Sequence, residues 1–480
     1  MGKTIIIPLL MLLIAACRDE NLIQPTEFNL KFSTDTVLFD TVFTGIGTTT
    51  RRFTVYNPNN GTVQLKSIRL SKIPNCNFSI NVDGVAGPDV RDIKIRKHDS
   101  IYVFVEANID PNRNQMVESD SIIFELESSA SANVKLVAFG QDVVLLNGQV
   151  ITTQTFTNEK PYLIYNSARV AENQILTVEA GTRLYFHYRS SLIIEGTLNV
   201  QGTANAPVIF RSDRLEPFYS DKPGQWGAWI EFDDGGIYLL GGLHFTTKSR
   251  NNQINYAIIE NAIKGIQLDS VISENSIGLT LNNTIIRHMN LAGIVAQTSS
   301  IESHNLLITN CGSYALALLL GGSYWFNHAT IANYTPFSAR STPAVFINNY
   351  YVYQNQAYVF PLNQCLFTNS IIHGFYGNSR AEVGFDLFEG YPANYYFENC
   401  IILTGNTIDT TDYIHFRNII VAKEGVGYKN IAKYDFELDT LSPAKDKANP
   451  YYSTFAPFDL KGRNRFTDSR PDLGAYERQE

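Results

Sequence analysis

Seven short segments of the chain repeat one pattern: YAIIEN at Tyr256–Asn261, NTIIRH at Asn283–His288, NLLITN at Asn305–Asn310, HATIAN at His328–Asn333, QCLFTN at Gln364–Asn369, NCIILT at Asn399–Thr404 and NIIVAK at Asn418–Lys423. Their starts lie 27, 22, 23, 36, 35 and 19 residues apart. A recurring unit of this size cannot bury its apolar side alone and must stack on its neighbours, which is the signature of a solenoid. The unit has the pattern of a strand, so the solenoid is expected to be a parallel β-helix.

Stacking the units gives columns. The fourth column (Ile259, Ile286, Ile308, Ile331, Phe367, Ile402, Val421) and the second (Ala257, Thr284, Leu306, Ala329, Cys365, Cys400, Ile419) should point into the core, because side chains alternate along a strand. The third column (Ile258, Ile285, Leu307, Thr330, Leu366, Ile401, Ile420) should then point outward, yet all but Thr330 are large and apolar. Left in water it would be a sizeable apolar stripe. Either loops or the N-terminal domain cover it, or a partner docks there. The sixth column opens with Asn261, His288, Asn310, Asn333 and Asn369. Asn tolerates a left-handed bend and bonds neighbouring backbone, so this column reads as a structural ladder, with His288 part of it.

The net charge of −8 offers no basic face for nucleic acid. At the N-terminus Lys3 precedes an apolar run from Thr4 to Ala16, too short to cross a bilayer core of about 30 Å, so residues 1–17 read as a signal peptide. The segment Ile14-Ala15-Ala16-Cys17 resembles the lipobox of bacterial lipoproteins, which implies acyl chains on Cys17 and an outer-membrane anchor. Arg18-Asp19-Glu20 resembles the export tag of Bacteroidetes surface lipoproteins, implying exposure at the cell surface. Of the remaining cysteines, Cys365 and Cys400 share a column in successive units, about 4.8 Å apart in a parallel stack, so a disulfide and a pair of stacked thiols both fit. The cysteine and histidine spacings suggest no metal site.

Residues 18–35 read as a tether. Residues 36–147 carry short alternating strands (TVLFDTVF, RRFTVYN, TVQLKSIRL, NFSINV, DIKIRK, SIYVFVEANI, SIIFELES, NVKLVAF) punctuated by turn signals, the pattern of a β-sandwich. The order FDTVFTGIG, FTVYNPNNGTVQLKSIRL and ANIDPN resembles immunoglobulin-like domains of the abnormal-spindle/hydin type, which implies a spacer or interaction module. Residues 148–440 hold the repeats. Their opening, ILTVEAGTRLYFHYRSSLIIEGTLNVQGTANAPVIFRSD with PGQWGAWIEF after it, resembles pectate-lyase-like right-handed β-helices. Residues 441–480 (Ser442-Pro443-Ala444, Asp459-Leu460-Lys461-Gly462-Arg463, Asp472-Leu473-Gly474-Ala475-Tyr476-Glu477) resemble the segment that closes many bacterial β-helices, and a solenoid end needs a cap. The expected fold class is all-β: an N-terminal immunoglobulin-like β-sandwich, then a right-handed single-stranded parallel β-helix with a C-terminal cap.

Two units stretch the period, which places about a dozen extra residues in each of two adjacent loops, and long loops on a rigid scaffold are where function tends to lie. The first holds Arg340, Tyr350, Tyr351, Tyr353 and Tyr358; the second holds Tyr376, Arg380, Glu382, Asp386, Glu389 and Tyr391. Aromatic faces beside carboxylates suit sugar recognition, and packing of the loops on themselves is the bland alternative. As catalytic groups Arg340, His373, Arg380 and Asp386 are weak candidates, because nothing in the sequence orients them; Asp233-Asp234 lies in an apparent turn. The motifs of pectate lyases and polygalacturonases are not recognisable. The expectation is therefore a surface lipoprotein that binds a polysaccharide or an outer-membrane β-barrel protein, with no cofactor. A polysaccharide lyase (which would bring calcium), a glycoside hydrolase and a structural subunit of an outer-membrane machine stand as alternatives.

Overall fold

The computed structural model describes residues 21–43, 50–109, 117–231, 236–270, 277–336, 340–374, 380–468 and 470–479; Cys17, Arg18-Asp19-Glu20, Asp233-Asp234 and Tyr376 lie outside them. The chain divides into two compact units, Met1–Val143 and Val144–Glu480.

The first unit is a β-sandwich. One sheet is built from Leu22–Ile23, Thr62–Leu70, Val117–Leu126, Ser131–Gln141 and Thr36–Phe43, with Asp89–Ile95 also paired to Thr62–Leu70. The other runs Lys31–Phe32, Arg51–Tyr56, Ser100–Ala107, Phe78–Val82 and Val85–Ala86. Period-two patterning decides which side faces in. In Ser100–Ala107, for example, Ile101, Val103, Val105 and Ala107 are buried while Tyr102 and Glu106 meet water. The stretch expected as a tether contributes to both sheets, because Leu22–Ile23 pairs in parallel with Thr62–Val63 and Lys31–Phe32 pairs with Val55–Tyr56.

The second unit is a parallel β-helix with three faces. Face 1 carries Ile259, Ile286, Ile308, Ile331, Ile372, Ile402 and Val421 in register. Face 2 carries Phe245, Leu268, Ala296, Leu318, Ile347 and Phe385. Face 3 ends in a stack of rings, Phe326, Phe367, Phe397 and Phe416, with centroids 5.0, 4.9 and 5.3 Å apart. Apart from Val421, which is exposed, these side chains fill or pack against one continuous core, and each buried large apolar side chain contributes about 1.5–3 kcal/mol.

Register corrects the repeat at one point. Ile331 is followed on face 1 by Ile372, whereas Phe367 lies on face 3 beside Phe326. The stretch Gln364–Gly374 contains two overlapping matches, QCLFTN and NSIIHG, and the second is the true unit. Its start is Asn369, so the stretched spacings are 41 and 30 residues. For the same reason Cys365 (face 3) and Cys400 (face 1) do not share a column, so neither the possible disulfide nor the stacked pair forms; both are free, buried thiols.

The bend between faces 3 and 1 is a single residue. Tyr256, Asn283, Asn305, His328, Asn369, Asn399 and Asn418, the first column, all have φ between 49° and 57°. L-residues avoid this region, and Asn pays least there because its short side chain can bond locally. Asn305 Nδ2 donates to Asn283 Oδ1 at 2.8 Å, and Asn283 Nδ2 to Asn255 Oδ1 at 2.8 Å. The ladder thus runs along the first column. The sixth is left-handed at Asn261, His288 and Asn310, while Asn369, counted in it from sequence, is the bend of the next strand.

The outward third column is covered over its four middle positions. Leu307, Thr330 and Ile401 are 3%, 1% and 0% exposed, and Ile371, which takes the place given to Leu366, is 0% exposed. The C-terminal segment lies against them, contributing Val426, Phe436, Leu438, Ala444, Leu473 and Ala475 to a shared core. It therefore covers the flank of face 1 at these positions, while Ile285 and Ile420 are partly buried against it and Ile258 is half-buried. Its attachment is read from the bend residues: Asn369 Nδ2 donates to Asn449 O (3.0 Å), Asn305 Nδ2 to Phe458 O (2.7 Å), and Gly474 N to Asn369 O (2.8 Å). The closing motif folds on itself, with Asp459 accepting from the backbone of Lys461, Arg463 and Glu477, and Asp472 from that of Asp446 and Arg478.

Because the 3-to-1 bend is so short, extra residues collect at the other two corners. Connections 213–242, 334–344 and 375–382 leave face 1 for face 2, and 269–278, 349–361 and 387–392 leave face 2 for face 3. Both sets border face 2. Each loop expected from the sequence is split by a face-2 strand, Val345–Asn348 in one and Val383–Asp386 in the other.

Candidate functional site

The basic candidates at the corner between faces 1 and 2 are held in structural bonds. Arg340 and Glu382 form a buried two-pronged pair: Nη1 reaches Oε2 at 2.8 Å and Nη2 reaches Oε1 at 2.5 Å, with side chains 1% and 0% exposed. Arg340 also donates to the Thr342 carbonyl, and Glu382 accepts from Ala344 N. The pair clamps the loop to the coil and has no face to offer a substrate, so neither residue is a base or a ligand contact. His373 is equally committed. Its Nε2 donates to Ala422 O (2.9 Å), which leaves Nδ1 to accept from the Tyr334 hydroxyl (2.6 Å), and burial pushes its pKa down. His288 is buried against the edge of Tyr434, with burial pushing it down to about 4, as suits a ladder position. Arg380 is exposed, in the connection that leaves face 1 for face 2.

The remaining candidates come together at the corner between faces 2 and 3. Tyr350–Tyr353 and Gln356–Val359 form a hairpin whose turn residues, Gln354 and Asn355, have φ of 48° and 61°, the geometry of the tightest twisted hairpin turn. Cross-strand pairing sets Tyr351 on Tyr358, rings 5.0 Å apart and 10° from parallel, and Phe360 extends the row at 5.9 Å. Tyr351, Tyr353 and Tyr358 are 43%, 59% and 37% exposed, and the next connection adds exposed Phe388, Glu389 and Tyr391. Tyr350 packs edge-on to Phe388 and donates its hydroxyl to Asp386 Oδ1 (2.9 Å); that bond raises the phenol's pKa. Asp386 is thus oriented beside the rings, at the exposed end of a face-2 strand.

A polar cluster on the outward side of face 2 was not anticipated. His244 Nε2 lies 2.7 Å from Asp269 Oδ2. Gln267 Nε2 donates to Asp269 Oδ1 (2.9 Å) and to the Tyr238 hydroxyl (3.1 Å), and Lys264 Nζ donates to Gln267 Oε1 (3.1 Å). Burial lowers Lys264 and raises Tyr238; burial would also raise Asp269, but His244 and Gln267 hold it below its usual range. Its one sequence signal is that His244 and Gln267 are one coil apart and in register. The network can orient a proton between imidazole and carboxylate. Among the described residues no cluster of His, Cys, Asp and Glu has the geometry of a metal site.

No protein-family profile matches the chain, and no curated protein matches it. Among solved structures, it is similar to a glycoside hydrolase of family 123 from Clostridium perfringens at 11% identity, over 27% of this chain and 30% of that one, with a TM-score of 0.19. The catalytic domain of a GH87 α-1,3-glucanase is similar at 11% identity over 73% of this chain and 81% of its own, with a TM-score of 0.21. PapD-like domain 7 of human CEP192 is similar at 10% identity over 25% of this chain and 90% of its own, with a TM-score of 0.18. Likenesses this weak say nothing about what the chain binds or acts on.

Proposed function

We propose that the protein is a glycan-binding accessory module of the bacterial surface, held to the outer membrane by acyl chains on Cys17. The observation that carries this reading is the tyrosine hairpin: solvent-facing rings held parallel on a rigid corner, with Asp386 oriented next to them. Ring faces pack on the CH faces of pyranoses, and an adjacent carboxylate accepts sugar hydroxyls. Binding without turnover is favoured because Arg340 and His373, two of the three basic candidates at the stretched loops, are committed to structural partners.

Affinity electrophoresis through gels holding neutral or acidic polysaccharides tests the reading. Retardation by at least one neutral polysaccharide is expected. Two stacking rings at about 0.5–1.5 kcal/mol each make the Tyr351→Ala/Tyr358→Ala variant bind about tenfold more weakly or worse. No retardation by any polysaccharide would sink the proposal. The His244–Asp269 pair favours one second reading, a glycan-cleaving enzyme; release of reducing ends or unsaturated products, abolished in His244→Ala, would replace binding with catalysis.

A further inference from the structure

We propose that a cavity on face 3 is a subsite for an uncharged sugar residue, a second contact for the glycan that stacks on the tyrosine hairpin. The cavity is open to solvent, measures about 290 Å³ and is lined by Gln364, Leu366, Asn394, Tyr396, Ile414 and His415 together with Cys365 and Tyr395. That volume stands just below the about 300–1,000 Å³ typical of ligand pockets, the scale of a monosaccharide rather than a folded partner.

Position ties it to the corner. Gln364 and Leu366 belong to Leu362–Thr368, the strand that leaves the tyrosine hairpin, and Asn394 and Tyr396 belong to Ala393–Ile402, which leaves the connection bearing Phe388 and Tyr391. A chain lying across the exposed rings therefore runs on toward the cavity. The far wall is the segment before Phe416–Val421, where Tyr413 and Ile414 are 72% and 76% exposed. Apolar side chains so exposed at a cavity rim are what a sugar CH face would cover.

Chemistry selects the ligand. Two amides, two phenols, an imidazole, a thiol and two aliphatic groups line the cavity, and no carboxylate, ammonium or guanidinium does. Arg417 lies over the Tyr396 ring at 5.1 Å and gives its Nε to Tyr413 O. His415 is fixed by stacking on Tyr395 (3.8 Å, 11°) and by the bond from its Nδ1 to Tyr395 O (2.8 Å). An imidazole held through Nδ1 presents Nε2 on the opposite edge of the ring, where a hydroxyl can bond it. Asn394 is braced by donating Nδ2 to Asn363 O (3.1 Å). Such a lining pairs hydroxyls and puts no cationic side chain on the wall itself to meet a uronate, whose charge is costly to desolvate.

The inference rests on the glycan reading of the corner, so the test separates the two. Neutral cello- and laminari-oligosaccharides of increasing length, with oligogalacturonates as the acidic arm, are titrated calorimetrically into the wild type, Tyr351→Ala/Tyr358→Ala, Gln364→Ala/Asn394→Ala and Ile414→Asp. Wild-type affinity for a neutral series should rise with length. The tyrosine variant should lose short and long ligands alike. The two cavity variants should bind the shortest ligands as the wild type does and lose about tenfold on the longest, with unchanged melting temperatures. Cavity variants equal to the wild type at every length would overturn the subsite and leave the corner standing. A wild type that binds no oligosaccharide overturns both, and oligogalacturonates bound as tightly as neutral chains overturn the uncharged specificity.

Discussion

Asn305 shows why a left-handed bend in this chain cannot be refilled by just any small residue. Its φ is 57°, its Nδ2 reaches Asn283 and Phe458 O, and its Oδ1 accepts from the buried Arg465 at 2.9 Å. Alanine there meets left-handed strain of about 1–2 kcal/mol and leaves a buried guanidinium short of a partner, a further loss of about 1–3 kcal/mol. Asn305→Ala should therefore cost several kcal/mol in urea unfolding, and Asn305→Gly less, since glycine removes the strain and not the lost bonds. Arg340 makes the complementary point. From sequence it was an unoriented cation in a loop, and its partner Glu382 is 42 residues away with nothing local to announce the pair. Removing one member of a buried ion pair leaves an uncompensated charge, worth about 3–5 kcal/mol. Arg340→Ala should lose stability on that scale, while sugar binding at the tyrosine hairpin, measured on the folded fraction, stays as in the wild type. A binding defect without a stability defect would return Arg340 to the site.

Elements were legible from sequence wherever the pattern was local. The sandwich strands, the repeat and the stretched period all follow from alternation, and the tyrosines that form the exposed corner were named from it. Which face a strand joins is not local. Faces 1 and 3 share the same alternation, so QCLFTN matched the repeat as well as NSIIHG did, and the cysteine pairing fell with that one misassignment. The covering of the third column was hidden for a similar reason, since the segment that does it lies far along the chain from Leu307. That segment has its own electrostatic fastening. Burial would raise Glu437, yet Lys461, Arg463 and Lys429 around it hold the carboxyl down to about 2, against 4.5 for an ordinary glutamate. A folded value below the unfolded one means the stabilisation is complete above about pH 4.5 and drains away as pH falls toward 2. Amide hydrogen exchange in Tyr428–Leu438 should accelerate between pH 5 and pH 3 beyond the intrinsic pH dependence, and Glu437→Gln should remove that excess. An excess that persists in the variant would assign the effect to another group.

At the scale of the whole molecule, the two units have separate cores: Val55, Val103, Phe124 and their neighbours in one, the stacked columns of the helix in the other. A unit with its own core is expected to fold on its own. The fragment 144–480 contains the hairpin, the face-2 cluster, the face-3 cavity and the covering segment, so it should fold, stay soluble and bind neutral glycan with the full chain's affinity. Thermal unfolding of the full chain should then resolve two transitions, one reproduced by the fragment. Shortening the fragment to residues 144–425 tests the covering segment in the same assay. It uncovers Leu307, Ile371 and Ile401, a contiguous apolar strip with nothing left over it, and should yield aggregated protein. A soluble, two-state 144–425 would mean that the helix tolerates its bare flank, and that the closing segment serves something other than cover.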